Sequence, residues 1–359
     1  MKVAIMGAGL SGLACALRLE QMGIYPEIFE KRGSVGDRFV NGEVLLTIFS
    51  RPVRDEISFL ADNYQIYLHP TGHIGEFIIH SEHEQAKLSG HFGFCNIRGR
   101  HENSFENQLA RQVKSTIHYH SEHTYEELVK DYTHVIVATG DAQDASRIRN
   151  FEVDLTVKLK GATVQGDFSR YCVMCWLDDR YAPKGYGYLI PYSETEANIV
   201  IAFPDDSHSG SGSTDEKWQL FYERVCSDLG QNLKITDRFE VSNYMIGQCS
   251  EPRIGNAFFT GNCLGTIMPL FGFGQFPSLL SGIYAAEDLC GLSSYIETTK
   301  EIRESYRNSL LLRKWYEKMD HSQKDKLIKK LNGYWGEKLL TTQLDVLKII
   351  SRFLRWGGK

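Results

Sequence analysis

Three glycines near the start of the sequence constrain this chain more than any other feature. Gly7, Gly9 and Gly12 follow a short apolar run, Lys2 to Met6, and open a helical pattern that extends from Leu10 to Met22. In such a turn the first glycine allows the tight bend, the second lets the backbone approach a diphosphate, and the third lets the helix pack closely on its strand. We therefore predict that this helix N-terminus binds the diphosphate of a dinucleotide.

A second apolar run, Pro26 to Phe29, ends in Glu30, about 20 residues beyond the glycines. A carboxylate in that place can accept hydrogen bonds from a ribose 2′-hydroxyl. We predict that Ser11, Glu30 and Lys31 bind the nucleotide together with the three glycines. Two strands around one helix are typical of a doubly wound α/β sheet.

The composition is that of an ordinary globular protein and excludes several classes. The chain has 359 residues, of which 42% are hydrophobic and 24% charged, enough for one large core or two. The net charge of −5 argues against a nucleic-acid partner, and no apolar run is long enough to span a bilayer. Eight cysteines at scattered spacings, without a recognisable export signal, predict reduced thiols and a cytoplasmic location.

The order of strand and helix patterns predicts an α/β fold with three regions. A helical pattern from Ser104 to Lys114 leads to a buried strand, His134 to Ala138, and much later a strand at Ala257 to Thr260 leads to a helix from Gln275 to Leu289. We predict a discontinuous Rossmann-like FAD-binding domain, a mixed or antiparallel β-sheet substrate domain and a basic helical C-terminal tail. Their boundaries are residues 1–65, 101–150 and 251–295 for the first, 66–100 and 151–250 for the second, and 296–359 for the third.

The predicted substrate domain is defined by runs rich in β-branched and aromatic residues. A polar Gly/Ser loop from Asp205 to Ser213 interrupts them, and Ser213 with Glu216 predicts a capping box for a helix from Asp215 to Leu229. The strand runs are Phe77 to His80, Val153 to Leu159, Tyr171 to Leu177, Ala197 to Phe203 and Phe239 to Met245.

Two further glycine-containing strand ends indicate that the dinucleotide is FAD. Only the first motif has the diphosphate spacing, and a nicotinamide cofactor alone would need only that one. Gly272, Gly274 and Gln275 place a second helix N-terminus after a glycine-rich loop, where backbone amides favour negative charge. A reduced flavin carries such charge around N1 and the C2 carbonyl. The predicted FAD site also includes Gly140, Gly261 and Asn262 at the ends of the other strands.

These motifs together resemble FAD-dependent oxidoreductases of the hydroxybenzoate-hydroxylase type. The resemblance rests on residues 7–14 with Glu30, on residues 135–141 and on residues 261–282. Within that group, the stretch 183–191, which contains Tyr186 and Tyr188, resembles the Pro-x-x-Tyr-x-Trp-x-Phe-Pro signature of geranylgeranyl reductases. The resemblance covers about residues 1–295.

The resemblance implies an enzyme that reduces carbon–carbon double bonds of a prenyl or other lipid substrate by hydride transfer from reduced flavin. It implies that Tyr186 and Tyr188 line the substrate pocket or donate a proton. The two tyrosines alternate with Gly187 and Leu189 along a strand, so both face the same side. It also implies that Asn41 and Gly42, in the loop after the second strand, lie at the flavin. Arg100 is the candidate for the flavin-loop arginine, with a spacing two residues longer than in the family.

The sequence departs from the family pattern at several positions, and two alternatives stay open. Tyr188 and Ile190 replace the signature Trp and Phe, and Asn262, which can both accept and donate hydrogen bonds, replaces the usual Asp. Asn41 stands where archaeal members often have Cys. The alternatives are a flavin-dependent monooxygenase and a non-catalytic flavin-binding accessory or membrane-recruited protein. The electron donor (NAD(P)H, ferredoxin or deazaflavin) and the oligomeric state are undetermined.

The C-terminal tail is basic, with 15 Lys or Arg against 7 Asp or Glu from residue 298 onward. A helical pattern from Leu344 to Trp356 places apolar residues on one side and basic residues on another. Such a helix either packs its apolar side on the protein or makes a peripheral contact with an anionic membrane. The apolar residues are Val346, Leu347, Ile350, Phe353 and Leu354, and the basic ones are Lys348, Arg352 and Arg355.

The sequence predicts no metal site. Cys172 and Cys175 have a metal-like spacing, but on a strand residues three apart point to opposite faces, and no second cysteine pair completes four ligands. His118, His120 and His123 lie close in sequence without a carboxylate pattern typical of a metal site. We therefore expect buried structural thiols and solvated histidines.

Overall fold

The computed structural model describes residues 1–205 and 212–357, so the predicted loop from Asp205 to Ser213 lies mostly outside the described residues. The strands are β1 (Val3–Met6), β2 (Glu27–Phe29), β3 (Asn41–Leu46), β4 (Gly72–His73), β5 (Glu76–His80), β6 (Gln85–Ser89), β7 (Gly93–Arg98), β8 (Ile117–His118), β9 (His134–Val137), β10 (Phe151–Gln165), β11 (Cys172–Trp176), β12 (Tyr186–Pro191), β13 (Glu196–Pro204), β14 (Lys234–Cys249), β15 (Arg253–Ile254) and β16 (Ala257–Phe259).

The α-helices are α1 (Leu10–Gln21), α2 (Glu56–Tyr64), α3 (Phe105–Ala110), α4 (Tyr125–Asp131), α5 (Gln143–Arg147), α6 (Thr214–Leu229), α7 (Gln275–Leu289), α8 (Tyr295–Thr298), α9 (Lys300–Tyr316), α10 (His321–Leu331), α11 (Tyr334–Thr341) and α12 (Val346–Gly357). Short 3₁₀ helices span Thr47–Phe49 and Gly261–Cys263. The bounds of α1 and α7 agree with the predicted helices to within one residue. The described residues after 293 form the helices α8 to α12 and their short connections, as predicted.

A six-stranded sheet forms the Rossmann-like part, in the order β15-β16-β9-β1-β2-β8. β1 pairs parallel with β2 and β9, β9 pairs parallel with β16, and β2 pairs parallel with β8. Its strands come from segments far apart in the sequence. Because the carboxyl ends of parallel strands meet at one edge of the sheet, the turns after β1, β2, β9 and β16 are brought together there.

Two glycines set the close packing of α1. A Cβ on Gly12 would lie 2.1 Å from the Gly7 carbonyl oxygen, and a Cβ on Gly282 of α7 would lie 2.0 Å from the Ser11 carbonyl oxygen. Side chains larger than hydrogen are therefore excluded at both contacts. The fully buried Leu13 and Ile283 fill the layer around them.

A seven-stranded sheet, in the order β14-β10-β13-β12-β11-β5-β6, forms the predicted mixed or antiparallel sheet. Its pairs are antiparallel except for β11 with β5, which run parallel. One face packs on α6 through the buried Trp218 and Phe221. The capping box at the start of α6 has Ser213 and Glu216 in the predicted roles. The opposite face of the sheet lines a cavity.

A three-stranded sheet, in the order β3-β7-β4, was not anticipated. β3 pairs antiparallel with β7 over its whole length, from Asn41 opposite Arg98 to Leu46 opposite Gly93. This pairing joins the segments 1–65 and 66–100, which the sequence analysis assigned to different domains. The residues of β3 are buried on both faces, so they lack the alternation that identifies a half-exposed strand.

The last helix, α12, packs on the body of the protein and also keeps apolar side chains outside. Leu347 and Leu354 are partly buried and Ser351 is fully buried. Phe353, in contrast, is 68% exposed, and Ile349 and Ile350 are each 37% exposed. The apolar side predicted for this helix is thus only partly covered by the protein. Among the described residues, none of the helices is both long and apolar enough to cross a bilayer.

The first residue of α2 provides a test of the packing around it. Glu56 is fully buried, and burial raises its pKa although Ser50 and Arg51 favour the ionised form. The folded state therefore holds this proton more tightly than the unfolded chain, and the folded state loses stability as the pH rises above about 4.3, the usual pKa of Glu. We expect Glu56→Gln to raise the free energy of unfolding at pH 7 by about 1 kcal/mol.

Urea unfolding at pH 7 and at about pH 4 measures this difference, which should shrink at the lower pH. Glu102→Gln, at an exposed position, is the matched control and should change little. A less stable Glu56→Gln variant at pH 7 would show that the carboxylate is ionised and paired in the folded protein.

Candidate functional site

A cavity of about 840 Å³ lies where the six-stranded sheet meets the open face of the seven-stranded sheet. This volume falls within the range of about 300–1,000 Å³ that small-molecule and cofactor sites occupy. At one end the cavity is lined by the turn after β1 and by the ends of β2 and β9. At the other end it is lined by β12 and by the loop before α7.

The glycine turn after β1 has the geometry that the sequence predicted. Gly7 has a φ of +102°, and a Cβ there would lie 2.5 Å from the Ala138 carbonyl oxygen. A Cβ on Gly9, in contrast, would meet nothing within 4 Å, so its backbone is open to the cavity. Gly9 directly precedes α1, whose first amides have no partner within the helix. This end of the cavity is therefore suited to an anion.

Glu30, at the end of β2, is held beside this turn. Its side chain is buried, with Oε2 accepting a hydrogen bond from the Ala8 amide at 2.9 Å and Oε1 accepting one from the Arg32 amide at 3.0 Å. Lys31 lines the same end and donates to Asp141 Oδ2 at 2.8 Å, which links the end of β2 to the turn after β9. The carboxylate is thus fixed at the edge of the sheet.

The turn after β16 contributes Gly261 and Asn262 to the cavity. Gly261 has a φ of +58°, and a Cβ there would lie 2.6 Å from Ser11 Oγ, so the turn passes close to α1. Asn262 Nδ2 donates to the Gly140 carbonyl oxygen at 2.6 Å and to the Tyr244 hydroxyl at 2.8 Å. Both amide hydrogens of Asn262 are used in this way. Only its carbonyl oxygen is left to accept a bond from a bound molecule, so the expected donor role is not available.

A second helix N-terminus lines the cavity at the start of α7. Gly272 has a φ of +75°, Gly274 is the N-cap residue, and all of Gly272, Gly274 and Gln275 lie at the cavity surface. Gln275 is buried, and its Oε1 has no hydrogen-bond partner among the described residues. A buried acceptor without a partner costs about 1–3 kcal/mol, so this position favours a ligand with an N–H or O–H donor.

Tyr186 and Tyr188 lie on the cavity face of β12, with ring centroids 5.9 Å apart. The Tyr186 hydroxyl donates to the Phe271 carbonyl oxygen at 2.5 Å, and the Tyr188 hydroxyl donates to Asn41 Oδ1 at 3.0 Å. Burial raises the pKa of both phenols above the usual value, so they stay neutral. Their protons are committed to protein acceptors, and the two rings act here as walls that hold β3 and the loop before α7.

Asn41 and Gly42 line the cavity and also contact neighbouring strands. Asn41 is buried and its Nδ2 donates to Glu43 Oε1 at 3.2 Å. A Cβ on Gly42 would lie 3.0 Å from both Asn198 Cβ and Tyr192 Cε1. Gly42 therefore lets β3 approach the seven-stranded sheet closely.

Arg100 does not lie among the cavity residues, and the expectation for it needs correction. Its half-exposed guanidinium forms an ion pair with Asp237 at 2.5 Å. Arg98, two residues earlier, lines the cavity instead and pairs with Glu43 at 3.0 Å and with Glu106 at 2.8 Å. The two-residue excess in spacing was the signal that pointed to Arg98.

The cysteines and histidines form no metal site in the part of the chain that the structure describes. All eight cysteines lie in the described ranges and are unpaired. Cys172 is buried as expected, whereas Cys175 lines the cavity, and burial raises its pKa to about 12. His123 is exposed as expected, although it borders the cavity and its ring centroid lies 4.7 Å from that of Phe29.

Several charged residues of the cavity were not found from the sequence. Arg313, from α9, is the most distant of them along the chain, and no local motif indicates its role. It reaches the cavity because the C-terminal helices pack beside the loop before α7. The cavity-lining residues that the sequence analysis did not propose include Arg38, Arg98, Arg147 and Arg313.

Comparison with known proteins supports this architecture. Residues 5–44 match the family model of an NAD(P)-binding Rossmann-like domain. No curated protein matches the chain. Three solved structures with similar folds are a geranylgeranyl bacteriochlorophyll reductase-like protein from Thermoplasma acidophilum, a flavoprotein/dehydrogenase from Cytophaga hutchinsonii and a p-nitrophenol 4-monooxygenase from Pseudomonas putida DLL-E4.

The likeness to these structures is one of fold and extends over nearly all of each chain. The first has a TM-score of 0.74 at 14% identity, covering 98% of this chain and 95% of the other. The second has 0.66 at 15%, covering 100% of both, and the third has 0.63 at 14%, covering 98% and 97%. Residues 5–44 are thus similar to an NAD(P)-binding Rossmann-like domain, and the fold as a whole is similar to those of these three structures.

Proposed function

We propose that this protein binds FAD in the cavity and is an oxidoreductase that reduces carbon–carbon double bonds of a prenyl or other lipid substrate. Two helix N-termini, one buried carboxylate and an apolar wall line the same cavity. This arrangement is the observation that carries the proposal. The nearly full-length fold similarity to a geranylgeranyl bacteriochlorophyll reductase-like protein supports a reductase.

The cavity residues fit both the adenosine-diphosphate half and the flavin half of FAD. The open backbone at Gly9 and the amides that start α1 suit the diphosphate, and Glu30 suits a ribose hydroxyl. The amides that start α7 suit the negative charge of a reduced flavin ring. The buried Oε1 of Gln275 lacks a donor that the N–H of such a ring would supply.

The substrate half of the cavity is apolar. When bound, FAD supplies the hydride that the reduction needs. The protein orients the substrate and excludes water, because the cavity wall on the seven-stranded sheet consists of aliphatic and aromatic side chains. Tyr186 links that wall to the loop before α7, and Tyr188 links it to β3. Phe77, Leu159, Val173 and Ile190 belong to this wall, and Leu46 of β3 and Leu270 of the loop before α7 extend it.

A flavin-dependent monooxygenase is the second candidate. The fold is also that of a p-nitrophenol 4-monooxygenase, and aromatic residues such as Phe77, Tyr186 and Phe271 border the cavity, which suits a compact aromatic substrate as well. A non-catalytic flavin-binding accessory protein is the third candidate. Its support is the departure from the reductase signature at Asn41, Tyr188 and Asn262.

The role of Glu30 can be tested by FAD binding. We expect Glu30→Gln to weaken FAD binding roughly 10- to 100-fold, because a hydrogen bond to a charged group is replaced by one to a neutral amide. Quenching of flavin fluorescence measures the affinity. Glu27→Gln, on the same strand but partly exposed, is the control and should bind FAD normally. Equal affinity of Glu30→Gln and the unaltered protein, with both folded, would remove Glu30 from the cofactor site.

The reaction class can be tested on the FAD-loaded protein without a known electron donor. After photoreduction in the absence of oxygen, geranylgeraniol is added and the return of the visible flavin band is followed, with product mass measured afterwards. We expect reoxidation and a product heavier by two hydrogens. Reoxidation only with oxygen, together with a product heavier by one oxygen, would establish the monooxygenase instead. No turnover with either acceptor would favour the accessory role.

We also propose that the outer face of α12 binds an anionic membrane surface. Ile349, Ile350 and Phe353 are exposed there, and the basic Lys348, Arg352 and Arg355 lie on the same helix. Apolar side chains beside positive charge complement an anionic lipid surface. Tyr334 and Trp335 of the preceding helix, α11, are also largely exposed, at 63% and 78%.

Co-sedimentation with vesicles tests this contact. We expect binding to phosphatidylserine-containing vesicles and little binding to pure phosphatidylcholine vesicles, because the helix needs both the burial of its apolar side chains and the attraction between its basic side chains and anionic lipid. Phe353→Glu should reduce binding at least several-fold. Leu292→Glu, which adds the same charge at an exposed apolar residue outside α12, should leave binding unchanged. Equal binding of both variants would exclude α12 as the membrane surface.

A further inference from the structure

Arg313 is a buried cation at the substrate end of the cavity. It comes from the C-terminal part of α9, is only 5% exposed and lines the cavity. Its Nε donates to Glu317 Oε1 at 2.7 Å, and its Nη1 lies 3.4 Å from the Leu270 carbonyl oxygen. Nη2 is buried and has no hydrogen-bond partner among the described residues. The guanidinium therefore has donors that the protein leaves unused.

The groups around Arg313 explain why the protein does not satisfy these donors. Its Cζ lies 5.9 Å from the centroid of the Tyr316 ring, and Leu270 and Phe271 are next to it in the cavity wall. The Tyr316 hydroxyl donates to the Gly185 carbonyl oxygen, so its proton is engaged elsewhere. Glu317 is 31% exposed, which places the counter-charge of Arg313 at the protein surface. The side of Arg313 toward the cavity thus combines positive charge with apolar surroundings.

We propose that Arg313 binds an anionic oxygen group, a carboxylate or a phosphate, at one end of an otherwise apolar substrate. A guanidinium binds such groups through two parallel N–H···O bonds, which fixes orientation as well as position. The apolar wall of the seven-stranded sheet would then receive the hydrocarbon part. This deepens the proposed function, on which it rests, because it defines the substrate as an amphiphilic acid rather than a neutral hydrocarbon.

The proposal can be tested with three probes that share one hydrocarbon chain: octanoate, octyl phosphate and octanol. Calorimetric titration of the FAD-loaded, full-length protein measures their binding without relying on flavin chemistry. We expect at least one of the two anions to bind roughly 10- to 100-fold more tightly than octanol. Preference for octanoate or for octyl phosphate identifies which anionic group the site recognises.

Arg313→Met should reduce the anion affinity to that of octanol while FAD binding is retained. Arg313→Lys, which keeps the charge but not the planar fork, should lose most of the preference. Arg307→Met removes the same charge from an exposed position of α9 and should bind like the unaltered protein. Thermal unfolding of each variant establishes that it is folded.

Octanol binding as tightly as the anions, or a persistent anion preference in Arg313→Met, would overturn the proposal. The same titrations without FAD separate it from the flavin function. If the chain fails to bind FAD but anion binding still depends on Arg313, the anion site stands and the flavin-dependent reduction falls. If FAD binds and Arg313→Met loses FAD instead of the anion, Arg313 belongs to the cofactor site.

Discussion

The close packing of α1 between β1 and α7 is the constraint on which the rest of the structure depends. Gly7 and Gly12 allow the turn and the approach to β1, and Gly282 allows the approach of α7 to the Ser11 backbone. A side chain at Gly12 or Gly282 would overlap backbone atoms that cannot move without separating these elements. Because the packing is this close, the N-termini of α1 and α7 both reach the same cavity.

The second consequence concerns the electrostatics of that cavity. At one end, the N-terminus of α1 and a fixed carboxylate create a polar surface with defined hydrogen-bond geometry. At the other end, a sheet of aliphatic and aromatic side chains excludes water. Two arginines also line the cavity. Arg98 of β7 is paired with Glu43 and Glu106, and Arg313 comes from α9. An elongated cofactor and an amphiphilic substrate are the ligands that this division of the cavity suits.

The sequence predicted the parts of the fold that local patterns control. α1, α7, the capping box of α6 and the strands on either side of α1 have glycine or capping signals within a few residues, so their positions followed directly. β3 and β7 carry no such pattern, because their residues are buried against two layers. Their pairing across about fifty residues depends on tertiary packing, which a periodicity argument does not see.

The candidate site divides in the same way. Glu30, the start of α7 and the predicted glycines other than Gly12 lie at the cavity, whereas Gly12 packs against the Gly7 backbone; Tyr186 and Tyr188 share the cavity wall. Arg100 was replaced by Arg98, because Arg98 is the last residue of β7 whereas Arg100 follows Gly99, whose φ of +89° ends the strand. Arg313 could not be predicted, because only the packing of the C-terminal helices brings it to a cavity whose other lining residues lie between Met6 and Ser278.

The central claim is that this cavity holds a dinucleotide flavin through both of its halves. The most direct test is a fluorescence titration of the full-length protein with FAD and with FMN, followed by competition with ADP. The account predicts that FAD binds, that ADP displaces it, and that FMN binds at least about tenfold more weakly because it lacks the adenosine contacts. FMN binding as tightly as FAD, or no binding of FAD by the folded protein, would contradict it.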